Sequence, residues 1–269
     1  MNPVIPADMT FVGNATTVLR LGDFTLLTDP NFVPAGTRLH LGYGAFTRRL
    51  VDPALDVVDL AALDAVLLSH LHADHFDGAA RDRLPKELPI VTTPQATRKL
   101  RSWRFSEVHG LPTWGEHTWE RGGQRLRVTA APGEHGPGVL NRLLPDVMGS
   151  VVELDINGEN RLRLYITGDT LLRPVLAEVP RRCGPIDAMI IHLGGTRLLG
   201  VLLTMDGAQG AGLTELIRPG LTLPVHYDDY TVMKSPLSDF VDRVRDLGVT
   251  TVQPVSRGDT VDLPLRAAR

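Results

Sequence analysis

The chain has 269 residues, with 28 Lys plus Arg against 31 Asp plus Glu, a formal charge of −3, and 43% hydrophobic residues. That balance leaves no basic footprint for broad nucleic-acid binding and no like-charged interaction tail, and a mean hydropathy of −0.01 suits a soluble globular chain. A single cysteine, Cys183, excludes an internal disulfide. Residues 1–10 carry no basic segment followed by an apolar run, and the longest apolar stretches, such as 188–193, are too short to span a bilayer. A cytoplasmic location is the expectation.

In chain order, residues 9–12, 17–21 and 24–28 read as strands, with Gly22-Asp23 as a tight turn between the last two. Residues 30–53 contain Gly and Pro and lack periodicity, a loop of the length that compact domains keep for function or leave disordered. Ala65-Val66-Leu67-Leu68 has no polar face, as a strand covered on both sides requires. Asp77 caps a short helix to Leu84, 89–92 is another buried strand, and 94–102 is a helix with Pro94 in its first turn. Strands are expected over 125–131, 151–156 and 161–167, the last two joined by a turn at Asn157-Gly158-Glu159-Asn160. Further on, 187–192 is a strand, Asp206 caps a helix to about Ile217, and 221–225 is a strand. Ser235-Pro236 opens a helix, Ser as cap and Pro first, which closes at Gly248. Residues 251–263 look like a hairpin around Arg257-Gly258-Asp259. Antiparallel strands first, then strand–helix alternation, predict an α/β fold of sheets covered by outer helices, in one domain over 1–269.

The chemistry lies in the histidines. His70, His72, Asp74 and His75 follow the buried strand 65–68 directly, at the strand end where open α/β sheets place their sites. Imidazole and carboxylate donors suit Zn, Mn, Fe or Ni rather than Cu(I). His70 and His72, two apart on an extended segment, can reach one ion; Asp74 and His75, after the chain turns, can face a second. Without a cation, so many unpaired polar side chains at one strand end would be costly to desolvate.

The segment Ser69-His70-Leu71-His72-Ala73-Asp74-His75-Phe76-Asp77 resembles the signature motif of the metallo-β-lactamase superfamily. Further segments stand in the order that family uses: Gly133-Glu134-His135-Gly136, Thr167-Gly168-Asp169-Thr170 and Pro224-Val225-His226-Tyr227, each after an expected strand. The resemblance covers nearly the whole chain. It implies an αββα sandwich in which His70, His72 and His135 hold one divalent ion, Asp74, His75 and His226 hold another, and Asp169 is shared. Zn2+ is the first expectation, with Mn2+, Fe2+ or Ni2+ as alternatives. Leu27-Thr28-Asp29-Pro30 and the compact C-terminus look like the branch of L-ascorbate-6-phosphate lactonase and the N-acyl-phosphatidylethanolamine phospholipases D.

The implied reaction is hydrolysis by a metal-bridged hydroxide, since two ions ~3.5–4 Å apart lower the pKa of a shared water toward ~7. Two divalent ions, two aspartates and a hydroxide leave the inner site at roughly +1, which predicts a small, anionic substrate. A phosphodiester or phosphorylated small molecule is the first expectation and a lactone or ester the second. A non-catalytic metal module is the alternative of a different class, although structural zinc sites are closed and usually Cys-rich. A secreted β-lactamase, a thioesterase with an added helical region, a nuclease with an inserted domain and a flavin-linked oxygen reductase are not the expectation, since the segments that mark them are not read in this sequence.

Asp74 is the candidate to orient the nucleophile or relay a proton, and His192, ending strand 187–192, to contact substrate or support a ligand. Asp29 either braces a ligating histidine or is a turn residue. Arg48, Arg49 and Arg142 could meet an anion, solvated arginines being the ordinary outcome. Tyr227, Tyr230 and the apolar Val139, Leu140, Leu143, Leu144 and Pro145 could wall a pocket or pack. His40, His109 and His117, in expected loops without partners nearby in sequence, read as surface residues, and Cys183 as an ordinary thiol.

Overall fold

Strands that are apolar on both faces organise the molecule. In Ala65–Leu67, Ala65 and Leu67 face a core between two sheets, while Val66 and the following Leu68 face an outer layer. In Ala188–His192, Ala188 and Ile190 face that same inner core, and Met189 and Ile191 face outward. The computed structural model, which describes residues 5–42, 44–138, 140–198 and 200–268, is accordingly layered. A seven-stranded sheet has the order Thr260–Asp262, Ala7–Gly13, Thr16–Leu21, Phe24–Thr28, Ala65–Leu67, Ile90–Thr92, Val108–Gly110. It is antiparallel up to Phe24–Thr28 and parallel beyond. A six-stranded sheet has the order Leu221–Val225, Ala188–His192, Glu159–Ile166, Met148–Ile156, Gln124–Pro132, Glu116–Arg121, its first three strands parallel and the rest antiparallel.

Between the sheets lie Met9, Phe11, Leu26, Leu126, Val152 and Leu164, all fully buried. Each such side chain contributes about 1.5–3 kcal/mol through removal from water. Helices Gly78–Arg83 and Pro94–Ser102 cover the outer face of the first sheet through Ala80, Ala96 and Leu100. Helices Gly207–Ile217 and Leu237–Asp246 cover the second through Leu213, Ile217, Phe240 and Val244. The result is the expected αββα sandwich. No helix among the described residues is long and apolar enough to cross a membrane.

Helix Pro94–Ser102 and strand Leu221–Val225 have the expected bounds. Four expectations need correction. Residues 30–53 are not featureless, because Arg38–Gly42 and Ala45–Arg48 pair as an antiparallel hairpin; what its second strand and the next residue bury, Thr47 and Arg49, is polar, so no hydrophobic alternation marks it. Ser235 does not cap the last helix, which starts after Pro236; its hydroxyl accepts from Gly207 N at 3.0 Å and donates to Asp239 at 3.1 Å, joining the two outer helices. Residues 251–263 do not pair with each other. Val252 bridges Thr222 in one sheet and Thr260–Asp262 pairs with Ala7–Gly13 in the other, so the turn carries the chain across the sandwich. Finally, the edge strands Val108–Gly110 and Glu116–Arg121 were not foreseen, since the latter is polar and largely exposed.

Asp77 anchors the metal-motif end of the first sheet. Its Oδ1 accepts from Ala80 N at 2.8 Å, and its Oδ2 from Phe32 N, from Val33 N at 2.7 Å and from Asn31 Nδ2 at 3.2 Å. Removing the carboxylate strips a helix cap and leaves two loop N–H groups without an acceptor. Asp77→Ala is expected to lower the unfolding free energy by about 2–4 kcal/mol, with Asp77→Asn losing less. The urea midpoint measures it, and an unshifted midpoint in the alanine variant would rule out the anchoring role.

Candidate metal centre

Strand ends converge at one rim of the sandwich. His70, His72, Asp74 and His75 follow Ala65–Leu67, and His135 follows Gln124–Pro132. Asp169 follows Glu159–Ile166, His226 follows Leu221–Val225, and His192 is the last residue of Ala188–His192. The chain reverses sharply at each place. Gly168 has φ +62°, and an added Cβ would meet Met148 O at 2.9 Å, so glycine is required immediately before Asp169. His226 itself has φ 60° and Asp29 φ 35°, left-handed conformations that cost a non-glycine residue about 1–3 kcal/mol each.

The side chains of these residues come together at this rim. Donor atoms of His70, His72 and His135 lie within 4.8 Å of one another, as do those of Asp74, His75 and His226. Asp169 groups with His70 and His75, one from each set: its Oδ2 is 4.0 Å from His70 Nε2 and 3.2 Å from His75 Nε2. His72 Nδ1 lies 2.9 Å from His70 Nε2 and 3.2 Å from His135 Nε2. His226 Nε2 is 3.5 Å from Asp74 Oδ2.

These residues fit a bound cation. Asp74 Oδ1, Asp169 Oδ1 and His226 Nε2 are buried without a hydrogen-bond partner, a cost of about 1–3 kcal/mol each that a cation would relieve. Burial pushes His70, His72 and His135 down, His72 to about 4, so their ring nitrogens offer lone pairs at neutral pH. Burial also opposes charge on His75, but Asp169 and Asp29 outweigh it and raise its pKa well above 6.5; Asp169 likewise raises His226. The carboxylates stay anionic despite burial, since His226 and His75 hold Asp169 well below the usual range, and the same two histidines hold Asp74 at about 2.

A bracing layer fixes the donors. Asp29, 1% exposed, accepts from Ser69 N at 2.7 Å and Ser69 Oγ at 2.9 Å, and its Oδ2 lies 3.1 Å from His75 Nδ1. It is therefore a brace and not merely a turn residue. His135 Nδ1 faces Leu203 O at 3.1 Å and His226 Nδ1 faces Leu193 O at 3.2 Å, which leaves each Nε2 for the cluster. Asn14, missed in the sequence, donates from Nδ2 to Asp74 O at 2.6 Å and accepts from His226 N at 2.9 Å through its own carbonyl. Only the turn dipeptide Gly13-Asn14 could have hinted at it.

His192 is a correction. It lines neither lobe of the cleft and is fully buried, with Nε2 3.4 Å from Asp29 Oδ2 and Nδ1 3.3 Å from Thr167 Oγ1, so of the two expected roles its position suits support of a ligand through Asp29 and not substrate contact. Arg49 is another. It is fully buried, donating to Asn31 O at 2.9 Å, Asn31 Oδ1 at 2.6 Å and Val51 O at 2.8 Å, with Nη2 3.5 Å from Asp229. Tyr230 donates to Asn31 Oδ1 at 2.7 Å and Tyr227 packs near Phe11, so neither walls the site. His109 and His117 lie in the edge strands and not in loops, and face each other at 4.2 Å between ring centroids. Arg48 is exposed and Cys183 half-buried. Val139 and the side chains of Leu140 and Arg142 lie outside the described residues.

The donors open into a cleft of two lobes. The inner lobe, about 50 Å³, is bounded by His72, Asp74, His135 and Asp169, by the apolar Leu41, Leu144, Leu203 and Val232, and by Thr196, Arg197 and Thr204. It shares Leu41, Gly42, His72 and Leu144 with an outer lobe of about 510 Å³, which also takes in His40, Leu143 and Pro145.

Residues 25–227 match the family described as the beta-lactamase superfamily domain. A UPF0173 metal-dependent hydrolase of Staphylococcus aureus is 24% identical over 216 residues, covering 78% of this chain and 87% of the relative. A protein of Veillonella parvula described as a possible metal-dependent hydrolase superposes with a TM-score of 0.79 at 25% identity, covering 97% of this chain and 100% of its own. An isothiocyanate hydrolase from Delia radicum gut bacteria shares the fold, with a TM-score of 0.78 at 22% identity over 96% of this chain and 99% of its own. The family match spans the whole donor cluster, from His70 to His226, and the chain belongs to the metallo-β-lactamase superfamily of metal-dependent hydrolases.

Proposed function

We propose that the cluster holds two divalent ions and that the protein hydrolyses a carboxylic ester or lactone. The supporting observation is the set of buried, partnerless donor atoms facing one another at the floor of an open cleft. His70, His72 and His135 would hold one ion, Asp74, His75 and His226 the other, and Asp169 both; Zn2+ suits this donor set. Such ions activate water at neutral pH and polarise the bond under attack. The chain's own groups do the rest. Asp29 orients His75, the Leu203 and Leu193 carbonyls fix the tautomers of His135 and His226, and Asp74 Oδ1, beside the inner lobe, would orient the attacking water.

The family resemblance puts a phosphodiester or phosphorylated small molecule first. The wall beside the donors favours the ester reading instead. Leu41, Leu144, Leu203 and Val232 are apolar, and the described arginine there, Arg197, lies 3.5 Å from Asp206. Arg49 is locked inside the protein. Among the described residues that line the inner lobe, a phosphoryl group would find no unpaired arginine fork, whereas a neutral carbonyl needs none. The matched relative bears the UPF0173 name, so the narrower likeness to the lactonase and phospholipase D branch rests on Leu27-Thr28-Asp29-Pro30 and the compact C-terminus.

Metal analysis, with assays on p-nitrophenyl esters, a lactone panel and bis-(p-nitrophenyl) phosphate, tests the reading. Asp169→Asn is expected to lower kcat/KM by more than about 100-fold and Asp29→Asn by about 10–100-fold, as for a group that only orients a ligand. Stoichiometric metal with no turnover on any of the three would leave a non-catalytic metal module. The raised pKa values of His75 and His226 mean that both carry protons in the metal-free protein at pH 6.5, whereas His70, His72 and His135, lowered, do not. Zinc added to metal-free protein at that pH should therefore release roughly one to two protons per chain, measured by calorimetry in buffers of different ionisation enthalpy; zero release would contradict the charge assignment.

A further inference from the structure

The outer lobe has a chemistry of its own. Helix Pro94–Ser102 brings Gln95, Lys99 and, just past its end, Trp103 to the lobe at intervals of four residues. Residues so spaced share one helical face, here a ridge about 12 Å long. Trp103 stacks on Phe76, the residue after His75, with ring centroids 6.0 Å apart and planes 15° from parallel, so the indole is fixed beside the metal motif. Leu71, Leu143, Leu144 and Pro145 complete an apolar lining. No carboxylate lines the lobe among the described residues, and Lys99, whose Nζ lies 5.3 Å from the Trp103 ring, forms no ion pair with them.

An ester carbon needs only the inner lobe. The additional volume of about 510 Å³ is in the ~300–1,000 Å³ range of small-molecule pockets, and its lining specifies what fills it. We infer that the substrate is an amphiphilic acyl compound, whose apolar chain lies along Leu71, Trp103 and Leu144 and whose far end carries a carboxylate that meets Lys99. The inference rests on the ester reading above and adds the identity of the acyl half. In the reaction the oxygen of water bonds to the acyl carbon, the bond from that carbon to the alkoxy oxygen breaks, and a water proton passes to the leaving oxygen. An α,ω-dicarboxylate and an alcohol result.

Two measurements on the metal-loaded protein test this. The first compares p-nitrophenyl esters of acetate, butyrate, hexanoate and octanoate with the half-ester of octanedioate. Wild-type kcat/KM should rise about two- to fourfold per added methylene, and the half-ester should exceed the octanoyl ester about fivefold or more. Lys99→Met should bring that last ratio towards one, and Trp103→Ala should flatten the chain-length series. Ratios within one variant are insensitive to the fraction folded. The second needs no turnover: octanedioate should quench the fluorescence of Trp103 at lower concentration than octanoate in wild type but not in Lys99→Met, with Trp103→Phe losing the signal. A half-ester no better than the neutral ester, or equal affinity for the two acids, would overturn the inference. If all esters were inert but octanedioate still bound through Lys99, the ester reading would fall while the recognition assigned to the outer lobe stood.

Discussion

Charge neutralisation in a dry space is the constraint on which this structure turns. Asp29, Asp74 and Asp169 are buried at one rim of the sandwich together with His70, His75, His135, His192 and His226. An isolated charge there would cost several kcal/mol, so each carboxylate must be matched. Asp29 is matched by Ser69, His75 and His192, within the protein. Asp74 and Asp169 are matched only in part, each keeping an oxygen without a partner. That difference separates a brace from a set of donors that could take a cation.

The surrounding scaffold serves to hold the partly matched groups in place. Positive φ at Asp29 and His226 is tolerated because neighbouring contacts leave no alternative: Asn14 clamps the backbones of both Asp74 and His226, and Ser69 ties Asp29 to the strand beside it. A second polar network lies just behind. Arg257 pairs with Asp229, Asp229 faces Arg49, Arg49 binds Asn31, and Asn31 reaches Asp77 and the carbonyl of Ala73 next to Asp74. It joins the loop after His226, the early hairpin and the motif loop into one unit. A polar network of this extent favours a single arrangement over many, which a centre with donors 3–4 Å apart requires.

The cleft draws on parts of the chain that have no role in the donor cluster. The strand Arg38–Gly42 contributes Leu41, the segment after His135 contributes Leu144, and helix Pro94–Ser102 contributes Lys99. The sandwich core is indifferent to these residues, so the reacting centre and the substrate wall can differ independently. A shared fold at 22–25% identity is thus compatible with quite different substrates.

Alone, the sequence determined the strands buried on both faces, the helix caps at Asp77 and Asp206, and the ordered donors from His70 to His226. Each of these is written locally: hydrophobic runs set strands, a capping side chain sets a helix start, and a metal motif places its donors a fixed few residues past a strand end. Only the tertiary structure decided that Arg49 points inward, that His192 stands behind His75, that Asn14 joins two donor loops, and that residues 251–263 split between two sheets. Those outcomes depend on contacts between residues tens to hundreds of positions apart. The direction a side chain takes then follows from which distant partner completes its hydrogen bonds, and no short-range pattern encodes that choice.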